Sequence, residues 1–173
     1  MGRETAFRHS ASASGAVDHA ALERMAAVLE HEAARIASRW VERLEAVLYP
    51  ARTDLNLEDI RDRAPTLVLG VAKALRRGEA EAADAAWMAA ARHHAWLRLE
   101  QGISLCDLTR EYRALRQEMY NALLPELSTL TVQEALQWGG NLDGAVYTLA
   151  SIAGEAFEAE LRRTNDRLCV YRR

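Results

Sequence analysis

From Leu105 to Ala122 an apolar residue returns every three or four positions: Leu105, Leu108, Tyr112, Leu115, Met119, Ala122. Only an α-helix gathers that spacing into one stripe, so this stretch fixes both its own conformation and the need for helical neighbours to cover it. Ser104 stands where an N-cap belongs, with Asp107 three residues on, an acidic form of the reciprocal arrangement that satisfies orphan backbone donors. Gly102 can end the preceding helix in a left-handed conformation, and Pro125 is expected to stop the run because it supplies no amide donor. Asp107, Arg110, Glu111, Arg113, Arg116, Gln117 and Glu118 take the remaining positions.

The rest of the chain reads as helices built to pack on this one. The first runs from a cap at Asp18 to about Leu48, with Leu22, Met25, Leu29, Ala33, Ile36, Trp40 and Val47 inward, and Pro50 closes it. The second begins near Asn56 and Asp59, carries Ile60, Ala64, Leu67, Val71 and Leu75 on one face, and ends at Gly78. Pro65 falls inside it, as a kink or as the first residue of a new helix. The third spans about Glu81 to Glu100, with Ala83, Trp87, Ala90, His94 and Leu97 on one face and Ala86, Ala89, His93 and Trp96 on the next.

Thr131 and Glu134 form a second capping box, from which a helical pattern continues to about Leu168 through Leu136, Leu142, Val146, Leu149, Ile152, Ala156 and Leu161. Gly139, Gly140 and Gly144 each weaken a helix by about 1 kcal/mol relative to alanine, so continuity is least secure there. Unbroken, the element is roughly 55 Å long, more than a small bundle can cover, and its end should project. The expected fold is all-α: a single bundle of about five helices with a long last one. Residues 1–16 are a polar tail, 17–157 the folded domain and 158–173 a charged connector. On the projecting end, EAFEAELRRTNDRL from Glu155 to Leu168, Phe157, Leu161 and Leu168 are the apolar positions for pairing with a second copy, which makes the expected state a homodimer.

A net charge of -3, with arginines interleaved among acidic residues, offers no field for nucleic acid. Cys106 and Cys169 lack metal-site spacing and are not needed as a staple. Residues 1–15 lack the apolar segment of a signal peptide, and no window is apolar enough to span a bilayer, so a cytoplasmic location without membrane contact is expected.

Histidine is the natural place to seek chemistry. His93 and His94 are neighbours and diverge by about 100° on a helix, and neither has a ligating residue four positions away on its own face, so no metal is expected. His94 and Arg98 share a face, with Gly102 continuing the spacing. They read either as a partly buried, hydrogen-bonded pair or as polar groups converging on a signal pocket together with Tyr112 and Arg116. Glu111, Arg113 and Arg116 read as interhelical ion pairs or, for most of them, a solvated face, and the four tryptophans as core or dimer contacts. Nucleophilic triads, phosphate-binding glycine loops and paired catalytic carboxylates are missing, so no catalytic residue or cofactor is assigned. The competing reading is a bundle holding haem or another small molecule between the third and fourth helices, at His93 or His94.

The run HAWLRLEQGISLCDLTREYRALR resembles the signature of the RsbRD amino-terminal domain family: His94, Arg98, Gly102, then Glu111, Tyr112, Arg113, Leu115 and Arg116 in an EYRxLR-like helix. Trp40 followed by Leu44, Pro65, and the NLDGAV segment from Asn141 are similar too, so the likeness spans about residues 20–160. It implies a cytoplasmic helical sensor or input module of bacterial histidine kinases and stressosome-type co-antagonists, whose relatives use a globin-like dimeric fold without haem. The implied downstream partner is a kinase, an anti-sigma regulator or a STAS-type protein. No kinase, ATP-binding or STAS domain follows before Arg173, so the chain is expected to be a fragment or a free-standing module.

Overall fold

A computed structural model describes residues 19–55, 57–77 and 85–170, and among them every regular element is helical. The expected tail over 1–16, Asn56, Gly78 and Ala83 lie outside the described residues. Five α-helices follow in order: α1 His19–Arg43, α2 Glu58–Arg77, α3 Ala85–Glu100, α4 Leu105–Leu127 and α5 Val132–Val170. They form one bundle around one core: α1 packs along α2 and α4, α3 lies against α2 and α5, and α5 closes the bundle against α2 and α4.

The first helix does not hold its α-period to Leu48. Residues Leu44–Leu48 form a π-turn, closed by the amide of Tyr49 donating to the carbonyl of Leu44 at 2.8 Å. Widening the turn to five residues rotates everything after it. Leu44 and Tyr49 therefore point inward, and Val47, expected in the core, is exposed instead. The remaining inward residues expected for α1, Leu22 to Trp40, are all buried.

Pro65 sits inside an unbroken α2, so neither a new helix nor a stop occurs there. Pro125 likewise lies within α4, which continues to Leu127. Having no N–H, it removes the donor to the carbonyl four residues back, and the helix ends within the next turn. The chain then tightens into short turns, with Thr129 N donating to Glu126 O and Leu130 N to Leu127 O.

The joint between α3 and α4 forms as its glycine requires. Gly102 has φ +70°, its amide donates to Leu99 O at 3.0 Å, and the amide of Ile103 donates to Arg98 O at 2.9 Å. This is the double closure of a Schellman cap, with Ile103 buried as its apolar seal. Ser104 Oγ then accepts from Asp107 N at 3.1 Å to start α4. The second capping box closes both ways, Thr131 N to Glu134 Oε2 at 2.8 Å and Glu134 N to Thr131 Oγ1 at 3.3 Å. From there α5 runs 39 residues without a break at Gly139, Gly140 or Gly144. Leu142, Val146 and Leu149 face the core as expected, whereas Leu136 turns to solvent.

Gly70 marks a close approach between helices. A Cβ built there would lie 2.0 Å from Cδ1 and 2.2 Å from Cγ of Trp87, a buried indole of α3 that rests on the α2 backbone. Gly140, by contrast, has nothing within 4 Å of such a Cβ. Gly70→Ala should therefore lower stability by about 1 to 3 kcal/mol as the core is overpacked. Gly140→Ala should raise it by about 0.5 to 1 kcal/mol through helix propensity. Urea denaturation of the two variants beside the parent checks both signs.

Candidate functional site

A helix carries the carboxylate of Glu111 into the centre of the bundle. Glu111 is three residues beyond Leu108 and four before Leu115, so it lies on the apolar stripe of α4, and its side chain is fully buried. A bare carboxylate there would cost far more than the fold could bear. Three donors from two elements satisfy it. Tyr49, brought inward by the π-turn, donates its hydroxyl to Oε1 at 2.6 Å. Arg98 of α3 places Nε 2.9 and 3.0 Å from the two oxygens. His94 of the same helix sits with Nε2 2.8 Å from Oε2. Since an ionised carboxylate only accepts, Nε2 of His94 carries the proton. The backbone of the same residue is held as well, for Trp40 of α1 donates its indole N–H to Glu111 O at 2.8 Å.

Aromatic faces enclose this cluster. The His94 ring lies 5.3 Å from that of Trp40 and 5.6 Å, edge to face, from that of Tyr112, and the Arg98 guanidinium sits over the ring of Tyr49 at 5.6 Å. Arg98 also donates Nη1 to Gln101 Oε1 at 2.7 Å, while its Nη2 and the hydroxyl of Tyr112 are buried without a hydrogen-bond partner. Arg52 donates to the carbonyl of Gln101 at 2.8 Å, tying the loop after the π-turn to the end of α3. Two turns further along α4, Glu118 accepts from Arg43 at 2.8 Å.

The electrostatics follow from the geometry. Burial acts to raise the Glu111 carboxyl, but the His94 hydrogen bond, the charges of His94 and Arg98 and the Tyr49 hydroxyl outweigh it, and the group is held below the ordinary glutamate range. Burial, reinforced by the Glu111 charge, pushes both Tyr49 and Tyr112 upward, so each phenol keeps its proton. His93, outside the cluster with its ring 5.5 Å from that of Trp96, is lowered by burial and then by the nearby charge of Arg63.

His94, Arg98 and Tyr112 thus converge as the spacing suggested, and Arg116 does not. It faces α5 as a half-exposed bidentate partner of Asp143, at 2.6 and 2.7 Å, with its guanidinium 4.9 Å from the ring of Tyr120. Tyr120 donates to the same carboxylate at 3.0 Å. That pairing holds Asp143 below its usual range, led by the Arg116 hydrogen bond. The slot between α2 and α3 lined by His93 and His94 has a volume of about 10 Å³, room for one water at most and none for a porphyrin. Of the connector residues, Phe157 is buried in the chain's own core, Leu161 is partly exposed, and the side chain of Leu168 lies outside the described residues.

Glu111 is the residue that sequence reasoning left between an interhelical ion pair and a solvated face, and the structure gives it the ion pair. Its place on the stripe, opposite a His-x-x-x-Arg pair on the helix before, was the signal available. Tyr49 had none, because its inward turn depends on the π-turn. Among the described residues no group of His, Cys, Asp and Glu is arranged to hold a metal ion, and no helix is long and apolar enough to cross a membrane.

Among known protein families, residues 34–168 match the RsbT co-antagonist protein rsbRD N-terminal domain, a span that includes every residue of the Glu111 cluster. Comparison with curated proteins and with solved structures gives no match.

Removing the charge at the centre should be costly. Glu111→Gln leaves the Arg98 guanidinium buried without its counter-ion and should lose about 3 to 5 kcal/mol, while Tyr49→Phe, which deletes one hydroxyl, should lose about 1 kcal/mol. The lowered carboxyl also sets a pH dependence. Its contribution is fully present above the unfolded-state glutamate value of about 4.3 and is lost as the pH falls through the lower folded value. Chemical denaturation between neutral and acid pH should show that loss in the parent and a flatter profile in Glu111→Gln.

Proposed function

Because the chain belongs to the RsbT co-antagonist protein rsbRD N-terminal domain family, we propose that it is a non-catalytic sensory or regulatory input module of bacterial signal transduction. It works in the cytoplasm as a homodimer, and its output goes to a kinase, an anti-sigma regulator or a STAS-type protein. The observation that carries this reading is the position of α3. One side of that helix grips Glu111 through His94 and Arg98, and the other, with Met88, Arg92 and Trp96, lies along the distal half of α5. A signal that alters the grip on Glu111 shifts α3, and α3 shifts the helix that leads out of the domain. Such an element needs two arrangements close in free energy, which a polar cluster that leaves Arg98 Nη2 and the Tyr112 hydroxyl unpaired in an apolar core supplies.

The alternative, a haem or small-molecule carrier built on His93 and His94, gains nothing from the packed slot beside them. Transmission is tested by hydrogen exchange. Tyr49→Phe, which loosens the cluster with little change of shape, should speed amide exchange in residues 155–167 while the circular dichroism stays helical. Exchange unchanged in that segment would remove the coupling from α3 to α5. The assembly is tested by light scattering at high micromolar concentration, where twice the mass of the 19.3 kDa chain is expected.

A further inference from the structure

The turn that follows α1 decides which of two side chains faces the core. Trp40 is buried and marks the inward side of that helix. At about 100° per residue, Val47, seven positions on, would lie within about 20° of Trp40 in an unbroken α-helix, and Tyr49, nine positions on, about 180° from it. The structure has the reverse: Tyr49 is 8% exposed and Val47 66%. The wider π-turn over Leu44–Leu48 lags the α-period, and the lag accumulates until the inward place passes from one side chain to the other. The two windings are mutually exclusive. One turns Tyr49 in and Val47 out, the other Val47 in and Tyr49 out.

Little separates them in free energy. The amide of Tyr49 donates to Leu44 O at 2.8 Å in the π-turn, whereas an α-turn would give it Glu45 O, so a backbone bond is exchanged rather than lost. The side chains pull in opposite directions. The π-winding seats the Tyr49 hydroxyl on Glu111 at 2.6 Å and its ring beneath the Arg98 guanidinium at 5.6 Å, but leaves Val47 in water. The α-winding gives up that hydroxyl and recovers the burial of Val47. Glu111 keeps His94 and Arg98 in either case, so its charge is never left bare.

We infer that this turn is the two-state element of the domain, exchanging between a π-winding with Tyr49 on Glu111 and an α-winding with Val47 inward. The inference rests on the input-module reading above for its purpose, and names the part of the chain that alters the grip on Glu111. Two routes carry the exchange to α3. Tyr49 touches both Glu111 and Arg98. The loop beyond it carries Arg52, whose amide donates to Tyr49 O at 3.0 Å and whose guanidinium donates to Gln101 O at 2.8 Å. Gln101 in turn accepts from Arg98 Nη1 at 2.7 Å. Rewinding the turn therefore acts on the C-terminal end of α3 through a side chain and through the backbone.

NMR relaxation dispersion of the backbone amides reads such exchange on the microsecond-to-millisecond scale. In the parent, residues 44–49 and 98–101 should share one exchange process. Val47→Glu leaves the exposed side of the π-winding undisturbed but would have to bury a carboxylate in the α-winding, so the minor population should fall about tenfold or more. Tyr49→Phe lacks the hydroxyl that holds the π-winding and should raise that population about fivefold. Should exchange be seen only in Tyr49→Phe, adding Val47→Glu should remove it. Flat profiles in both the parent and Tyr49→Phe overturn the inference, as does exchange that either substitution leaves unchanged. The transmission reading is judged separately. Exchange that obeys both variants, without faster amide hydrogen exchange of residues 155–167 in Tyr49→Phe, leaves the switch standing and removes the transmission; the converse result keeps the transmission and removes the switch.

Discussion

A single ionised carboxylate, sunk into the middle of an apolar bundle and answered by three donors, is the constraint the structure is arranged around. Glu111 is tolerable only because Tyr49, His94 and Arg98 reach it together. Each of those reaches depends on something local. Tyr49 needs the π-turn after α1, His94 and Arg98 need the one-turn spacing on α3, and Glu111 needs the helix started by Ser104. Trp40 holds the backbone at the same point. Four separate pieces of chain are thereby referred to one residue, so the arrangement specifies how the helices sit as well as that they pack. An apolar substitute of the same volume could be equally stable. What the charge adds is a requirement that the neighbours keep their places.

Most of the architecture could be read from periodicity, and particular residues show where that reading ends. Trp40, Leu67, Leu108 and Leu149 are inward because a stripe at helical spacing has one face to bury. Gly102, the Ser104 N-cap and the Thr131–Glu134 capping box work because they concern neighbours in sequence, whose geometry a short motif determines. Val47 was misplaced because an extra residue in one turn leaves no trace in composition, yet rotates the chain beyond it. Leu136 misled in another way: it keeps the helical period, but on the outward side of a helix with two apolar faces.

The candidate site was half visible for the same reason. His94, Arg98 and Tyr112 were found by spacing along their own helices, whereas Glu111 stayed between an interhelical ion pair and a solvated face because a charged residue is normally a surface residue. Burial of a charge is decided by what lies opposite it, a tertiary fact that a one-dimensional pattern carries only faintly. Arg116 shows the converse. Its distance from Tyr112 along the chain is small, but the helix turns it toward α5, where Asp143 holds it. Membership of the RsbT co-antagonist family covers both arrangements without distinguishing them, since the matched span runs from residue 34 to residue 168.

The unbroken course of α5 through its glycines has a mechanical meaning. A helix with a joint would absorb a disturbance where the joint lies; one without a joint acts as a lever arm pivoted where the bundle grips it. The distance along the axis from Phe157, the last core residue of α5, to the end of the helix at Val170 is roughly 20 Å. A tilt of about 10° at the pivot then carries the tip sideways by about 3.5 Å, more than half the spacing between neighbouring side chains on a helix face. Displacements at the fulcrum too small to alter the core would therefore arrive at the far end as a change of contact.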